Sequence, residues 1–283
     1  MSRIRSLYTS DLTDLEWKHI KSLLSPASKG GRKRKYNLRR IVNAIFYFIR
    51  TGCDWRSLPR DFPNWSTVYG YFADWSKSGI IEKIHSSLLT LAREAMGKNP
   101  QPSVLIVDAQ SVKNQFGECR GHDGFKKVLG RKRSIFVDTL GFIHDVRVDS
   151  AGVKDHQSAI EMLQKKNPGF RATVEGELQG FIADGGYTAK NFAEAVKNIF
   201  KIEPTVMKSK KIFDKNKNLN ILLSSNLKPK RWIVERTFAW FGHYRRLVKD
   251  YERKTIHSEA VIRLSMINIM LKRLTREGYT RWN

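Results

Sequence analysis

The segment VLIVD, residues 104–108, runs four apolar residues without a break into an acid. The segment LQGFIADGGY, residues 178–187, ends its own apolar run in an acid and then turns on two glycines. Uninterrupted apolar runs of this length fit strands buried on both faces. If the two are parallel neighbours, the strands lie about 4.8 Å apart. Asp108 and Asp184 then stand at one edge of the sheet, where the ligand sites of open α/β sheets gather. Carboxylates held that close repel each other unless cations lie between them. Hard divalent ions suit such oxygen ligands, and Mg²⁺ keeps positions for water and substrate phosphates. Each acid also has a plainer reading: Asp108 as a cap for the next segment, Asp184 as part of the DGG turn.

Outward from these strands the pattern continues as α/β. A Gly-rich basic loop, GECRGHDGFKKVLGRKR (117–133), precedes a hairpin in which Ile135 and Val137 alternate with polar residues, TLG (139–141) turns, and Phe142, Val146 and Val148 return. Asp155 is placed to cap a helix bearing Ala159, Ile160 and Leu163. After the second apolar strand come a helix with Phe192, Ala195 and Ile199 and a short strand near residues 202–207. The polar stretch 208–220 reads as a loop. Helical spacing resumes at Arg231, and a last amphipathic helix uses Val261, Leu264, Ile267 and Leu271. The order is strand, hairpin, helix, strand, helix, strand, helix.

The first hundred residues read as helical instead. Asp11 and Thr13 offer caps before Trp17, Ile20, Leu23 and Leu24. A second helix carries Ile41, Val42, Ile45, Phe46 and Ile49 and stops near Gly52. Ser66 is a candidate cap for a third, striped by Val68, Tyr69, Phe72 and Trp75; a fourth covers roughly residues 80–96. Helix, turn and helix within a basic bundle suit a helix-turn-helix, with residues 66–77 as recognition helix and Ser66, Thr67 and Tyr69 as candidate DNA contacts. A plain bundle is the alternative. GKNPQPS (97–103) reads as the linker. The expected division is residues 1–98, a helical DNA-binding module, and 99–283, an α/β catalytic domain.

Composition narrows the partners. There are 52 Lys+Arg against 27 Asp+Glu, a formal net charge of +25. An excess this large points to a polyanion, and nucleic acid is the commonest. The basic residues are spread along the chain rather than gathered on one amphipathic helix, which argues against a membrane-surface protein. No apolar run approaches the length of a membrane span, and the N-terminus has no signal-peptide core. Cys53 and Cys119, the only cysteines, lack CxxC or Cys/His spacing, so neither a disulfide framework nor structural zinc is expected. The expected location is the cytoplasm, in association with the nucleoid.

Glu235 is the third acid to stand out. Wound onto one helix, residues 231–249 put Ile233, Val234, Phe238, Trp240, Phe241, Tyr244 and Leu247 on one broad face. Glu235 falls on the other with Arg231, Gly242, Arg246 and Lys249, an edge suited to a phosphate backbone; an ordinary surface pair with Arg231 is the alternative. Asp138, Asp145 and Asp155 are rival acids, ranked below because the first two belong to the hairpin and the third reads as a cap.

The segments LIVDAQSVKN, GFKKVLGRKRSIFVDTLG, FIADGGY and RWIVERTFAWFGHYRRLVKDYE resemble bacterial insertion-sequence transposases of the DDE class, whose core is ribonuclease-H-like. The block with DLTDLEW and DWRSLPRDFPNWSTVYGYF is similar to the helical module that precedes that core in one large group of them. The resemblance covers nearly the whole chain, and the Glu235 segment is its most specific part. It implies Asp108, Asp184 and Glu235 as a catalytic, metal-binding triad, with two Mg²⁺ ions for which Mn²⁺ can substitute. A related set carries Tyr, Arg, Glu and Lys around the last acid. Arg231 fills the Arg place here, whereas Lys228 and Gly242 stand where Tyr and Lys would be. The implied activity is hydrolytic DNA cleavage followed by joining of 3′-OH ends to target DNA. The expected partner is double-stranded DNA, both transposon ends and target, with a homodimer holding two ends. Lys126, Lys127, Arg131, Lys132 and Arg133 of the basic loop, with Arg231, Arg245 and Arg246, are the candidate phosphate contacts.

Overall fold

In the computed structural model the described residues are 8–24, 35–165, 170, 174, 178–207 and 231–275. The stretch 208–220, read above as a loop, lies outside them, as does the side chain of Arg231. By contacts the chain forms two compact units. One gathers residues 1–98, 114–118 and 241–283; the other gathers 99–113 and 119–240. Among the described residues no helix is long and apolar enough to cross a membrane.

The second unit is a mixed sheet carrying helices. Its strands are β1 (Val104–Lys113), β2 (Gly121–Asp123), β3 (Val128–Val137), β4 (Ile143–Ser150), β5 (Gly180–Asp184) and β6 (Thr205–Met207). β3 lies antiparallel to β1, and β2 and β4 both lie antiparallel to β3. β5 runs parallel to β1, and β6 parallel to β5. The apolar run at 104–107 is indeed buried on both sides: Leu105, Ile106 and Val107 are each at most 1% exposed. Leu105, Val107, Phe181 and Ala183 pack with helices α5 (Asp155–Gln164) and α6 (Lys190–Phe200) through Ala159, Met162, Leu163, Phe192 and Val196. Phe136 and Phe181 meet edge to face there, 5.4 Å between centroids.

β1 is longer than its apolar run. It continues through polar residues to Lys113, because β3 pairs with it as far as Gly130 while β5 pairs only with residues 104–106. Asp108 therefore sits mid-strand at the point where β1 loses its parallel neighbour. The stretch 117–133 is likewise not one loop. β2 and the start of β3 make a tight hairpin, and Arg131, Lys132 and Arg133 lie inside β3 and are buried, the two arginines at 0% and 1% exposure.

Helix α7 (Arg231–Phe241) docks on the β3–β4 turn. The Arg236 guanidinium donates to the Leu140 carbonyl at 3.0 Å and the Thr237 hydroxyl to the Gly141 carbonyl at 2.8 Å. Asp138 builds that turn from beneath. Fully buried, it accepts from the Leu140 and Phe142 amides at 2.9 and 3.0 Å and lies 3.3 Å from the His144 ring. The helix stops at Phe241, followed by a 3₁₀ turn at Arg245–Leu247, so the single long helix expected over 231–249 is corrected. Gly242 is the local cause, since glycine is a poor helix former and commonly marks a helix end. Gly242, Arg246 and Lys249 consequently do not share a helix face with Glu235.

The described residues of the first unit form the helices α1 (Asp14–Ile20), α2 (Leu38–Thr51), α3 (Trp65–Lys77), α4 (Ile80–Ala95) and α8 (Thr255–Thr275). Thr13 caps α1 in a reciprocal box with Glu16, and Gly52 ends α2 in the left-handed region at φ 72°. The cap of α3 is Asn64 rather than Ser66; its Oδ1 accepts from the Ser66 amide at 3.0 Å. α8 packs against α1, α2, α3 and α4. It is buried nearly all round, with Met266, Met270 and Ser265 filling what the sequence presents as its other face.

Candidate active site

Ile106 of β1 pairs with Ile182 of β5. Two residues further along each strand stand Asp108 and Asp184. Side chains alternate along a strand, so equal steps from a paired position leave both carboxylates on the same face at the same level. Both are half-buried and both line one cavity of about 730 Å³. Each is oriented by a local amide: Ala109 N–H donates to Asp108 Oδ1 at 2.7 Å, and Gly186 N–H to Asp184 Oδ1 at 2.8 Å. The turn reading of Asp184 therefore holds alongside its place in the cavity.

The remaining wall comes from the β2–β3 hairpin, the start of α5 and the DGG turn. Asp155 occupies the first helical position of α5; Lys154 is the cap. The Asp155 carboxylate pairs with Lys132 Nζ at 2.5 Å, and that Lys132 side chain is only 6% exposed. Lys132 is thus committed to Asp155 and to the Val153 carbonyl. Lys126 reaches back from the hairpin, its Nζ 3.0 Å from the Ala109 carbonyl, while its surface stays exposed on the cavity wall. Tyr187 lies beneath, fully buried, and its hydroxyl has no hydrogen-bond partner among the described residues. Burial first, then the charges of Asp108, Asp155 and Asp184, hold its phenol well above the ordinary value. Three acids thus bear on one buried hydroxyl.

Glu235 is exposed on α7 and is not among the residues lining the cavity. Among the described residues no three His, Cys, Asp or Glu side chains are grouped closely enough to hold one ion. Asp108 and Asp184 by themselves match what Mg²⁺ uses, one or two carboxylates completed by water and substrate phosphate.

The other expected contacts divide by burial. Lys126 and Lys127 are exposed at the hairpin tip, whereas Arg131 and Arg133 are buried in β3, and Lys132, also buried there, lines the cavity while paired with Asp155. In the first unit Arg245 is exposed, but Arg246 is 7% exposed, bonded to Glu252 at 2.7 Å and stacked over Phe48 at 4.4 Å. A guanidinium enclosed this way holds the fold and is not free for DNA. Ser66 and Tyr69 are exposed and Thr67 half-buried on α3. No motif in the sequence assigns Asp123, Tyr187 or Phe125 to this site, and Asp155, ranked below the other acids as a cap, lines the same cavity as Asp108 and Asp184. The D-G pair at 123–124 was a turn signal that would have exposed the hairpin.

Gly186 leaves little room above the second acid. A Cβ there would stand 3.1 Å from Asp184 Oδ1 and 3.7 Å from Asp155 Oδ2. Gly186→Ala should displace the Asp184 carboxylate by a few tenths of an ångström and weaken Mg²⁺ binding at the paired acids about tenfold. Metal titration by calorimetry beside thermal melts checks this; unchanged affinity would show that the carboxylate's placement is not limiting.

A mixed sheet in the order β4-β3-β1-β5-β6, with its antiparallel hairpin on one side of β1 and parallel strands on the other, is a ribonuclease-H-like core. The chain belongs to the transposase DDE domain family, whose model matches residues 99–269. Residues 12–85 match a second family, described as putative transposase of the IS4/5 family. Among curated proteins the chain is 30% identical over 84 residues, 30% of its length, to the uncharacterized protein y4sN of Sinorhizobium fredii. It is 28% identical over 149 residues, 52% of its length, to a putative transposase for insertion sequence element IS402 of Burkholderia cepacia. The match spans 65% of the length of either relative. A solved piggyBac transposase synaptic complex with hairpin DNA superposes at TM-score 0.39 and 9% identity, over 91% of this chain and 70% of that one. That likeness is too loose to bear on fold or function.

Proposed function

We propose that this protein is a DNA transposase that binds the terminal inverted repeats of a mobile element, cuts DNA by hydrolysis and joins the 3′-OH ends to target DNA by transesterification. The observation that carries this reading is the pair Asp108 and Asp184, level with each other on neighbouring parallel strands and open to one cavity. Family membership and the net charge of +25 support it.

Asp108 and Asp184 would hold the divalent cations, Mg²⁺ with Mn²⁺ as substitute and two ions in the working complex. Such ions polarise a phosphodiester, acidify bound water and stabilise a departing 3′ oxygen. The chain's own groups do the rest. The Ala109 and Gly186 amides keep the carboxylates aimed. Lys126 offsets phosphate charge at the wall. Lys127, Arg231 and Arg245 are the candidate backbone contacts, and Ser66, Thr67 and Tyr69 on α3 the candidate end-reading contacts. Residues 1–98, with α8 completing their helical core, would serve as the DNA-binding module and the sheet-bearing part of 99–283 as the catalytic domain, in a homodimer holding two ends on chromosomal DNA.

Glu235 is the third acid by its place in the family motif. A second assignment, Asp155, is favoured by the wall it lines and by its approach to Gly186 beside Asp184. Glu235→Gln and Asp155→Asn, assayed in parallel, separate them: the true third acid loses cleavage by orders of magnitude and the other does not.

The test of the whole reading uses duplexes carrying the genomic ends that flank the gene, with a target plasmid, in Mg²⁺ and in EDTA. Mg²⁺-dependent cutting together with joined products is the expected result. Cutting without joining would make the protein a nuclease on the same core. Binding without cutting would make it a regulator.

A further inference from the structure

Phe125 has no folding reason to be where it is. It is 95% exposed, far above the next large apolar side chains among the described residues, Val248 at 60% and Leu15 at 59%. It stands at the tip of the β2–β3 hairpin, on the rim of the cavity that holds Asp108 and Asp184. A floppy loop would make this unremarkable, since single exposed hydrophobic residues are ordinary. This tip is braced instead. The Asp123 carboxylate accepts from the Phe125 and Lys126 amides at 3.1 and 2.9 Å and from the Ser111 hydroxyl at 2.5 Å. Lys126 Nζ ties the next residue to the Ala109 carbonyl, one position from Asp108. Burial alone would raise the Asp123 pKa, but the Lys126 amide, the Ser111 hydroxyl and the Lys132 and Lys126 charges outweigh it and hold the carboxyl below its ordinary value. Lys126 and Lys127 follow Phe125 in the chain, both exposed.

The cavity sets the second condition. About 730 Å³ is room for a group the size of a nucleotide or two. Opening or kinking the DNA beside the cut would bring a phosphodiester down to the half-buried carboxylates. An exposed apolar ring on a braced backbone at the mouth, with cations next to it in the chain, is what proteins use to enter a base step and hold the unstacked base. We infer that Phe125 inserts at the cleavage point and stacks on the displaced base, a positioning role that rests on the transposase reading above. Lys127 then meets the adjacent phosphate.

The experiment compares wild type, Phe125→Ala and Phe125→Trp on two duplexes carrying the flanking genomic end. One is fully paired, and the other has a mismatch at the base pair next to the cut. Phe125 packs on almost nothing, so the variants should fold as wild type does, which thermal melts verify. On paired DNA Phe125→Ala should cut at least about tenfold slower with nearly unchanged binding, and Phe125→Trp should cut at the wild-type rate. On mismatched DNA Phe125→Ala should recover to within about twofold of wild type, because the base is already released. Equal rates for Phe125→Ala and wild type on paired DNA would overturn the inference alone, as would an equal loss on both duplexes. Wild type cutting neither duplex would overturn the transposase reading and this inference with it.

Discussion

Asp108→Asn and Asp184→Asn are each expected to lower Mg²⁺-dependent DNA cleavage by at least about a thousandfold, roughly 4 kcal/mol of lost transition-state stabilisation. Asparagine keeps the size and one oxygen acceptor but removes the charge that holds a divalent ion. The same variants should melt at or slightly above the wild-type temperature without metal, because two carboxylates level on adjacent strands repel and either change relieves that. The combination discriminates. If Asp184 served only the DGG turn, or Asp108 only its following amide, the substitution would cost about 1 kcal/mol of stability and leave the chemistry alone. Rates from radiolabelled ends and melts in EDTA give both quantities. A stability loss with retained cleavage would return these acids to structural roles.

Gly141→Ala should destabilise the protein by about 2–4 kcal/mol, and Gly141→Val by more. Gly141 has φ 82°, a conformation that costs an L residue about 1–2 kcal/mol. Its missing Cβ also makes room for α7: an added methyl would stand 2.8 Å from the Trp240 ring and 2.9 Å from the Thr237 hydroxyl. The strain and the clash act on the same contact, the seat of α7 on the β3–β4 turn. Moving that helix moves Glu235, so the variant also reports on the third acid. If Glu235 belongs to the catalytic centre, cleavage should fall further than the lost stability accounts for. Urea unfolding measures the first effect, and cleavage well below the unfolding midpoint measures the second. A variant within about 0.5 kcal/mol of wild type would show that the helix is not held where this turn suggests.

The paired strands were readable from sequence because burial on both faces leaves no alternative pattern. Residues 104–107 and 181–183 carry no polar residue, and each run stops at the acid. The helix caps at Thr13 and Gly52 were readable for the same kind of reason, each being a local chemical rule. What escaped depended on tertiary context. Arg131, Lys132 and Arg133 looked like a basic loop because three consecutive cations seldom enter a buried strand; Lys132 does so by pairing with Asp155, twenty-three positions on. β2 is only three residues long, one of them glycine, too short to show a period. α8 read as amphipathic because serines and methionines weaken its second apolar face, yet that face is covered too. Gly242 was read as room for a phosphate backbone when it marks the end of α7. Glu235 illustrates the limit of motif reasoning: the motif names the residue, while its distance from the paired aspartates is fixed by packing that no short segment encodes.

The helical unit has a consequence for how such chains are dissected and how they exchange parts. Its central rod, α8, arrives from the far end of the polypeptide to fill the trough among α1, α2, α3 and α4. A fragment stopping at residue 98 would leave that trough open to water and should precipitate rather than bind DNA. Swapping end recognition between relatives by trading N-terminal segments should fail for the same reason, unless residues 241–275 travel with them.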